Sequence, residues 1–203
     1  MQDSAVPTDG RAARAARTRR AIVDASLGLV EEGDLRPTAP RIAERAGVSV
    51  RSVFQHFDDL PALHTAVVER VVERLASLVV PIDPAQPLDD RIVTFARHRG
   101  ALLEAVTPFR RAAAVHGPFA PEIRRAVAEG AAFLRTEVEA AFAPELSRTP
   151  AAVRREVLDA LAACSSWAVW DALRTEGGEA PDQARAVLVR LLRALLVDAP
   201  ARS

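Results

Sequence analysis

Arg51 is the second residue of a short segment, VRSVFQH at residues 50–56, after which come Phe57 and two aspartates. A guanidinium held on one side of a helix can pair with both O6 and N7 of guanine, the commonest specific contact to a base edge. Val50 and Ser52 beside it can touch a thymine methyl or a base edge. Gln55 and His56 lie further along, where the backbone or a flanking base would be in reach. Ser49 has the side chain that caps a helix starting at Val50. Thr38 is expected to cap a preceding helix and to leave its first N–H groups near a phosphate. Arg41, on that helix, is placed for a phosphate or a base at the groove edge.

These residues can read DNA only if two helices hold them at a steep angle. Residues 38–57, TAPRIAERAGVSVRSVFQHF, have the required pattern. Small or apolar residues stand at Ile42, Ala43, Ala46, Val48 and Val53, and Gly47 sits at the corner. Ala43 keeps the crossing close, and Gly47 can adopt the left-handed conformation that a sharp turn needs. Helix-turn-helix units are built this way so that the second helix can enter the major groove. Upstream, residues 19–33 read as an amphipathic helix, with Ile22, Ala25, Leu29 and Val30 on one face and Gly33 as its stop. Downstream, Asp58 and Asp59 offer N-caps, and Leu63, Val67, Val71 and Leu75 mark a long helix.

The segment from about residue 17 to 63 resembles the N-terminal domain of the tetracycline-repressor (TetR) family. The resemblance rests on AIVDASLGLVEEG, then IAERAGVS after Thr38, then VFQHF and Leu63, six residues on. It covers about a quarter of the 203 residues. It implies a dimeric DNA-binding transcriptional regulator, a repressor on a palindromic operator, with a small-molecule effector held in the helical body. Two positions depart from the family pattern. Phe54 stands where the family usually has a Tyr that grips a phosphate, so the ring remains among the DNA contacts and the hydroxyl is lost. Leu60 stands where the family usually has a phosphate-holding Lys. Each lost contact flattens the salt dependence of binding by about one unit. The alternative reading is a helical protein-interaction module whose DNA binding has decayed.

Composition limits the other classes. The chain is 49% hydrophobic and 27% charged, which suits a soluble domain with a substantial core. All 27 basic residues are Arg, and Lys, Tyr and Asn are absent, a pattern expected of GC-rich coding. The net charge is zero, so the basic charge is local: Arg11, Arg14, Arg17, Arg19 and Arg20 fall in ten residues without an acid. A single cysteine, Cys164, excludes an internal disulfide. No apolar run suggests a secretory signal or a membrane span, so a cytoplasmic location is expected. No nucleophile motif, metal-spaced cluster or glycine-rich phosphate loop stands out, so no enzyme activity, metal or cofactor is expected.

The periodicity predicts an all-α chain of about nine helices, with a three-helix head and a larger helical bundle. Residues 1–16 read as a flexible arginine-rich arm, 17–63 as the DNA-binding domain, and 64–203 as the ligand-binding and dimerisation domain. Helices are expected at about 60–80, 88–105, 108–115, 121–141, 151–174 and 181–197, with a proline-marked linker at 81–87 and a loop at 144–150. The last helix carries Val187, Leu188, Val189, Leu191, Leu192, Leu195, Leu196 and Val197, too wide a set for one buried stripe. The resemblance implies that the last two helices, the eighth and ninth, pair with those of a second copy. Phe95, Leu102, Phe109, Phe133, Trp167 and Trp170 are candidate walls of an effector pocket. His98 and Arg99 are its candidate polar contacts, with Glu137, Cys164 and Ser165.

Overall fold

The structure is a computed structural model that describes residues 8–197. Among the described residues every regular element is helical. In chain order they are α1 (Thr8–Glu31), α2 (Ala39–Ala46), α3 (Val50–His56), α4 (Leu60–Ala76), α5 (Leu88–His116), a 3-10 turn (Gly117–Phe119), α6 (Pro121–Ala141), α7 (Ala143–Arg148), α8 (Ala151–Cys164), α9 (Trp167–Asp171), a π turn (Ala172–Glu176) and α10 (Pro181–Val197). None of these helices is long and apolar enough to cross a membrane.

The chain forms two compact units. The first, the head, comprises Met1–Glu73 and Pro108–Ala126, of which residues 8–73 and 108–126 are described. The second, the body, comprises Arg74–Thr107 and Val127–Ser203, described to residue 197. The sequence reading placed the border near residue 63. The compact head instead keeps most of α4 and takes in the last third of α5, because Leu63, Ala66 and Phe109 all pack into its apolar cluster.

In the head, α1 packs on α2 and α3. Ile22, Ala25 and Leu29, expected on one face of α1, are buried, and Leu27 joins them with no exposure at all. Ile42 and Ala43 of α2, Val53 of α3 and Phe57 complete the cluster. Arg45 braces the outside of this corner. It is bidentate to Glu32 at 2.5 and 2.7 Å, and its guanidinium lies over Gly28, where a Cβ would come within 2.7 Å of it.

The body has its own cluster, built from Ile92, Phe95 and Leu103 of α5, Val138 of α6, Phe142, Leu161 of α8, Trp170 of α9 and the α10 row Ala184, Leu188, Leu192 and Leu196. That row, four residues apart, is a single buried stripe against α8. Of the other apolar residues of α10, Val187, Val189 and Leu195 are half-buried, and Leu191 and Val197 are exposed.

Four expectations are corrected. Residues 8–16 are not an arm: α1 reaches back to Thr8, as the run RAARAARTRR combines two strong helix formers. Residues 1–7 lie outside the described residues. Pro108 does not start a separate helix but sits inside α5, at the border between the units. Residues 143–148 are helical, because Pro144 falls in the first turn of α7, where no N–H partner is needed. The helix expected at 151–174 is broken at Ser165. Its hydroxyl donates to the Leu161 carbonyl at 2.7 Å, and Ser166 starts α9 by accepting the Val169 N–H.

Gly47 has φ +68° and ψ 32°, and a Cβ built there meets nothing within 4 Å. Conformation rather than space therefore requires glycine. Gly47→Ala should destabilise the chain by about 1–2 kcal/mol, the cost of a left-handed alanine. Gly130→Ala, in the exposed middle of α6 with equal room, should stabilise it by up to about 1 kcal/mol. Urea denaturation of both variants checks the contrast in sign.

Candidate functional site

The corner that presents α3 is closed by backbone hydrogen bonds. Gly47 N–H donates to the Glu44 carbonyl at 3.1 Å, and Val48 N–H reaches back to Ala43 at 3.0 Å. This is the crossed pair of bonds that ends a helix on a left-handed residue. The chain then turns through Val48 into Ser49, whose Oγ accepts the Ser52 N–H at 3.1 Å and caps α3. Asp59 caps α4 in the same way, accepting the Ala62 N–H at 2.8 Å.

One expectation at α2 is corrected. Thr38 occupies the N-cap position with extended backbone, and its carbonyl accepts the Ile42 N–H at 2.9 Å, but its side chain makes no capping bond. Pro40, the second residue of α2, has no N–H to offer, and the Thr38 side chain does not take up the third, that of Arg41, as Ser49 takes up that of Ser52. The Thr38 hydroxyl therefore remains at the exposed start of α2.

The outer side of α3 holds the other candidates. Val50, Arg51, Phe54 and Gln55 are exposed, Ser52 and His56 are half-buried, and Val53 alone is buried. Among the described residues Arg51 and Gln55 have no side-chain partner. Arg41 is exposed but not free, since it is paired with Asp34. Phe54 is 49% exposed and Leu60 46%. Arg19 of α1 lies 4.7 Å from the Phe57 ring centroid, a cation–π contact over the end of α3. Arg11, Arg14, Arg17 and Arg20 are all exposed along the first turns of α1.

The body carries a half-open cavity of about 280 Å³. Five of the eight residues proposed for an effector pocket line it: Phe95, His98, Arg99, Leu102 and Phe133. Glu137 lines it as well. Three do not. Phe109 packs in the head cluster. Trp170 is a core residue whose Nε1 donates to Glu104 at 2.7 Å, and Trp167 packs beside it with Nε1 donating to Thr107 at 3.2 Å. An indole buried with its N–H satisfied is structural. Gly100 makes room for Trp170, since a Cβ there would lie 2.9 Å from its ring. The segment Leu78, Val79, Val80, Pro81 and Ile82 also forms cavity wall. Sequence reasoning assigned part of this segment to a linker on the strength of its proline, although the run LVVPI was already a signal of burial.

His116 meets His64, with ring centroids 5.3 Å apart, and His64 Nδ1 lies 3.3 Å from Glu122. The second ring nitrogen of His116 is 3.0 Å from the Leu35 carbonyl, and burial holds its pKa below the ordinary imidazole value. The cluster ties α4, α5, α6 and the α1–α2 loop within the head.

No protein-family model matches the chain, and no curated protein matches it by sequence. Solved structures do. A protein from Mesorhizobium loti described as a TetR-family transcriptional regulator superposes with a TM-score of 0.69 at 21% identity, over 91% of this chain and 97% of its own. A transcriptional regulator from Rhodococcus sp. superposes with a TM-score of 0.63 at 18% identity, over 93% and 99%. The fold is that of the TetR regulators. The multidrug binding protein EbrR, solved with imidazole, shares this TetR-type fold with a TM-score of 0.58 at 23% identity, over 91% and 96%.

Cys164 lies in the body core with its Sγ 3.3 Å from the Leu161 carbonyl, and burial pushes its pKa up to about 11. A half-buried thiol packed against the body cluster with its pKa raised is slow to react. In the native chain at about pH 8, iodoacetamide should label it far more slowly than in the urea-unfolded chain, with mass spectrometry as the readout. Equal rates in the two states would contradict this assignment.

Proposed function

We propose that the chain is a dimeric, DNA-binding transcriptional regulator of the TetR type, a repressor released by a small apolar or aromatic effector, acting in the cytoplasm. The observation that carries the reading is the exposed, unpaired Arg51 on a capped helix held beyond a left-handed corner. A basic side chain at the start of a helix set off in this way is what a major-groove reader needs. Thr38 and Arg41 at the start of α2, with Ser49, Val50, Ser52, Phe54, Gln55 and His56 on and before α3, would share the contacts. Arg41 would exchange Asp34 for a phosphate.

The dimer would form through α8 with α9, and α10, the counterparts of the eighth and ninth helices of the sequence reading. Support comes from the exposed Leu191 and Val197 beside the single buried row of α10. Two-fold symmetry then asks for a palindromic operator. The effector would sit in the body cavity, against Phe95, His98, Arg99, Leu102 and Phe133. Three helices, α4, α5 and α6, run through the borders between the two units, so a change in the body has covalent routes to the head. A ligand shifts that equilibrium only by its differential affinity for the two states.

Arg51→Ala should weaken binding to the chain's preferred duplex by about 1–3 kcal/mol and relax its preference at one base pair. Fluorescence anisotropy on matched and single-mismatch duplexes measures both. An unchanged affinity would favour the interaction-module alternative, in which the exposed Phe54 and Leu60 serve a protein partner.

A further inference from the structure

Two arginines of the body are equally buried, at 3% exposure each, and their surroundings differ. Arg91 is saturated. It is bidentate to Glu145 at 2.6 and 2.8 Å and donates to the Ala141 and Gln86 carbonyls, both at 2.8 Å. Arg99 is under-paired. Its contacts are the Leu134 carbonyl at 3.0 Å, the Ser165 carbonyl at 3.4 Å and one oxygen of Glu137 at 3.4 Å. Its guanidinium also lies 4.7 Å from the Phe95 ring centroid. Its one counter-charge, Glu137, is held by a single 3.4 Å contact, where structural arginines are paired more closely, as Arg91 is with Glu145 at 2.6 Å.

Arg99 lines the cavity, and so does its neighbour His98, whose Nδ1 is buried without a hydrogen-bond partner. An imidazole nitrogen without a partner among the described residues, next to a loosely paired guanidinium, gives this wall capacity for further hydrogen bonds. The remaining walls are mainly apolar, with Phe95, Leu102, Phe133, Val80 and Ile82 among them. An apolar cavity of about 150 Å³ holds one benzene. A cavity of about 280 Å³ therefore takes a single ring or a short branched chain with a polar head.

The sign of the wall decides the head group. Burial pulls the Arg99 pKa down to about 10, which still leaves the guanidinium charged at any physiological pH. Burial pushes the Glu137 carboxyl above its ordinary range, and the Arg99 charge pulls it back. Glu137 is 23% exposed against 3% for Arg99, so its carboxylate has access to solvent while the guanidinium must be matched within the body.

We propose that the cavity binds a small monocarboxylate with an apolar body about the size of one ring, its carboxylate set between Arg99 and His98. This rests on reading the body as the effector-binding unit and names the chemical class of that effector. An ammonium ligand would instead take Glu137 and leave Arg99 worse off than before. A neutral ligand would leave it as it is.

Calorimetric titration of the full chain with benzoate and phenylacetate, and with benzamide and benzylamine as neutral and cationic counterparts, tests this. The carboxylates should bind at least about tenfold more tightly than their counterparts. Arg99→Gln should abolish carboxylate binding. Should that variant not fold, His98→Ala, at a half-buried position, should weaken it several-fold. Glu137→Gln should tighten it, because it removes the one like charge in the wall. Preference for benzylamine, weaker carboxylate binding by Glu137→Gln, or no binding of either carboxylate would each overturn the assignment. Carboxylate binding that leaves DNA affinity unchanged would keep the chemical assignment and sink the effector reading, so the two failures are distinguishable.

Discussion

The left-handed corner at Gly47 is the constraint on which the head depends. Its φ of +68° lets Val48 bond back to Ala43, so α2 ends within one residue and the chain re-enters a helix at Val50. A longer turn would separate Ile42 and Ala43 from Val53, which now share one cluster with Ile22 and Phe57. Because Val53 faces that cluster, Arg51 and Gln55 face outward on the same short helix. The corner, the apolar contacts and the exposure of these outward side chains are therefore one arrangement. Arg45 adds a brace by joining α2 to the end of α1 through Glu32, over a glycine that leaves room for the guanidinium.

The body handles charge in two ways with the same residue type. Arg91 joins α5 to the end of α6 and to α7 through carbonyls and Glu145, and nothing in its surroundings is left unmatched. Arg99, two turns further along α5, is buried to the same degree and faces a cavity with longer contacts. Breaking the first would leave a buried ion uncompensated, at a cost of about 3–5 kcal/mol. The second has a looser pairing, with its one carboxylate contact at 3.4 Å.

Local rules made the head legible from sequence. Gly47, Ser49 and Asp59 sit where turn and cap chemistry puts them, and both ends of α6, at residues 121 and 141, and the start of α10, at 181, fall where the periodicity predicts. The errors came where one local signal was read without its context. Pro108 was read as a helix breaker, yet tertiary packing carries α5 through it. Thr38 takes the N-cap position of α2 without a side-chain bond. Trp167 and Trp170 were proposed as pocket walls on size and spacing alone, while Glu104 and Thr107, some sixty residues away in sequence, hold their N–H groups in the core. Phe95, His98, Arg99 and Leu102 were legible because they fall on one helix. That Phe133 and Leu78 close the same cavity depends on packing between distant segments, which no local pattern contains.

The central claim is that α3 reads a DNA sequence. Selection of bound fragments from random duplex DNA, with the full chain as bait, tests it most directly. The account predicts recovery of a palindrome whose half-sites are separated by about one helical turn or a multiple of it. Recovery of no consensus would contradict it and would leave the exposed face of α3 without a role in sequence recognition.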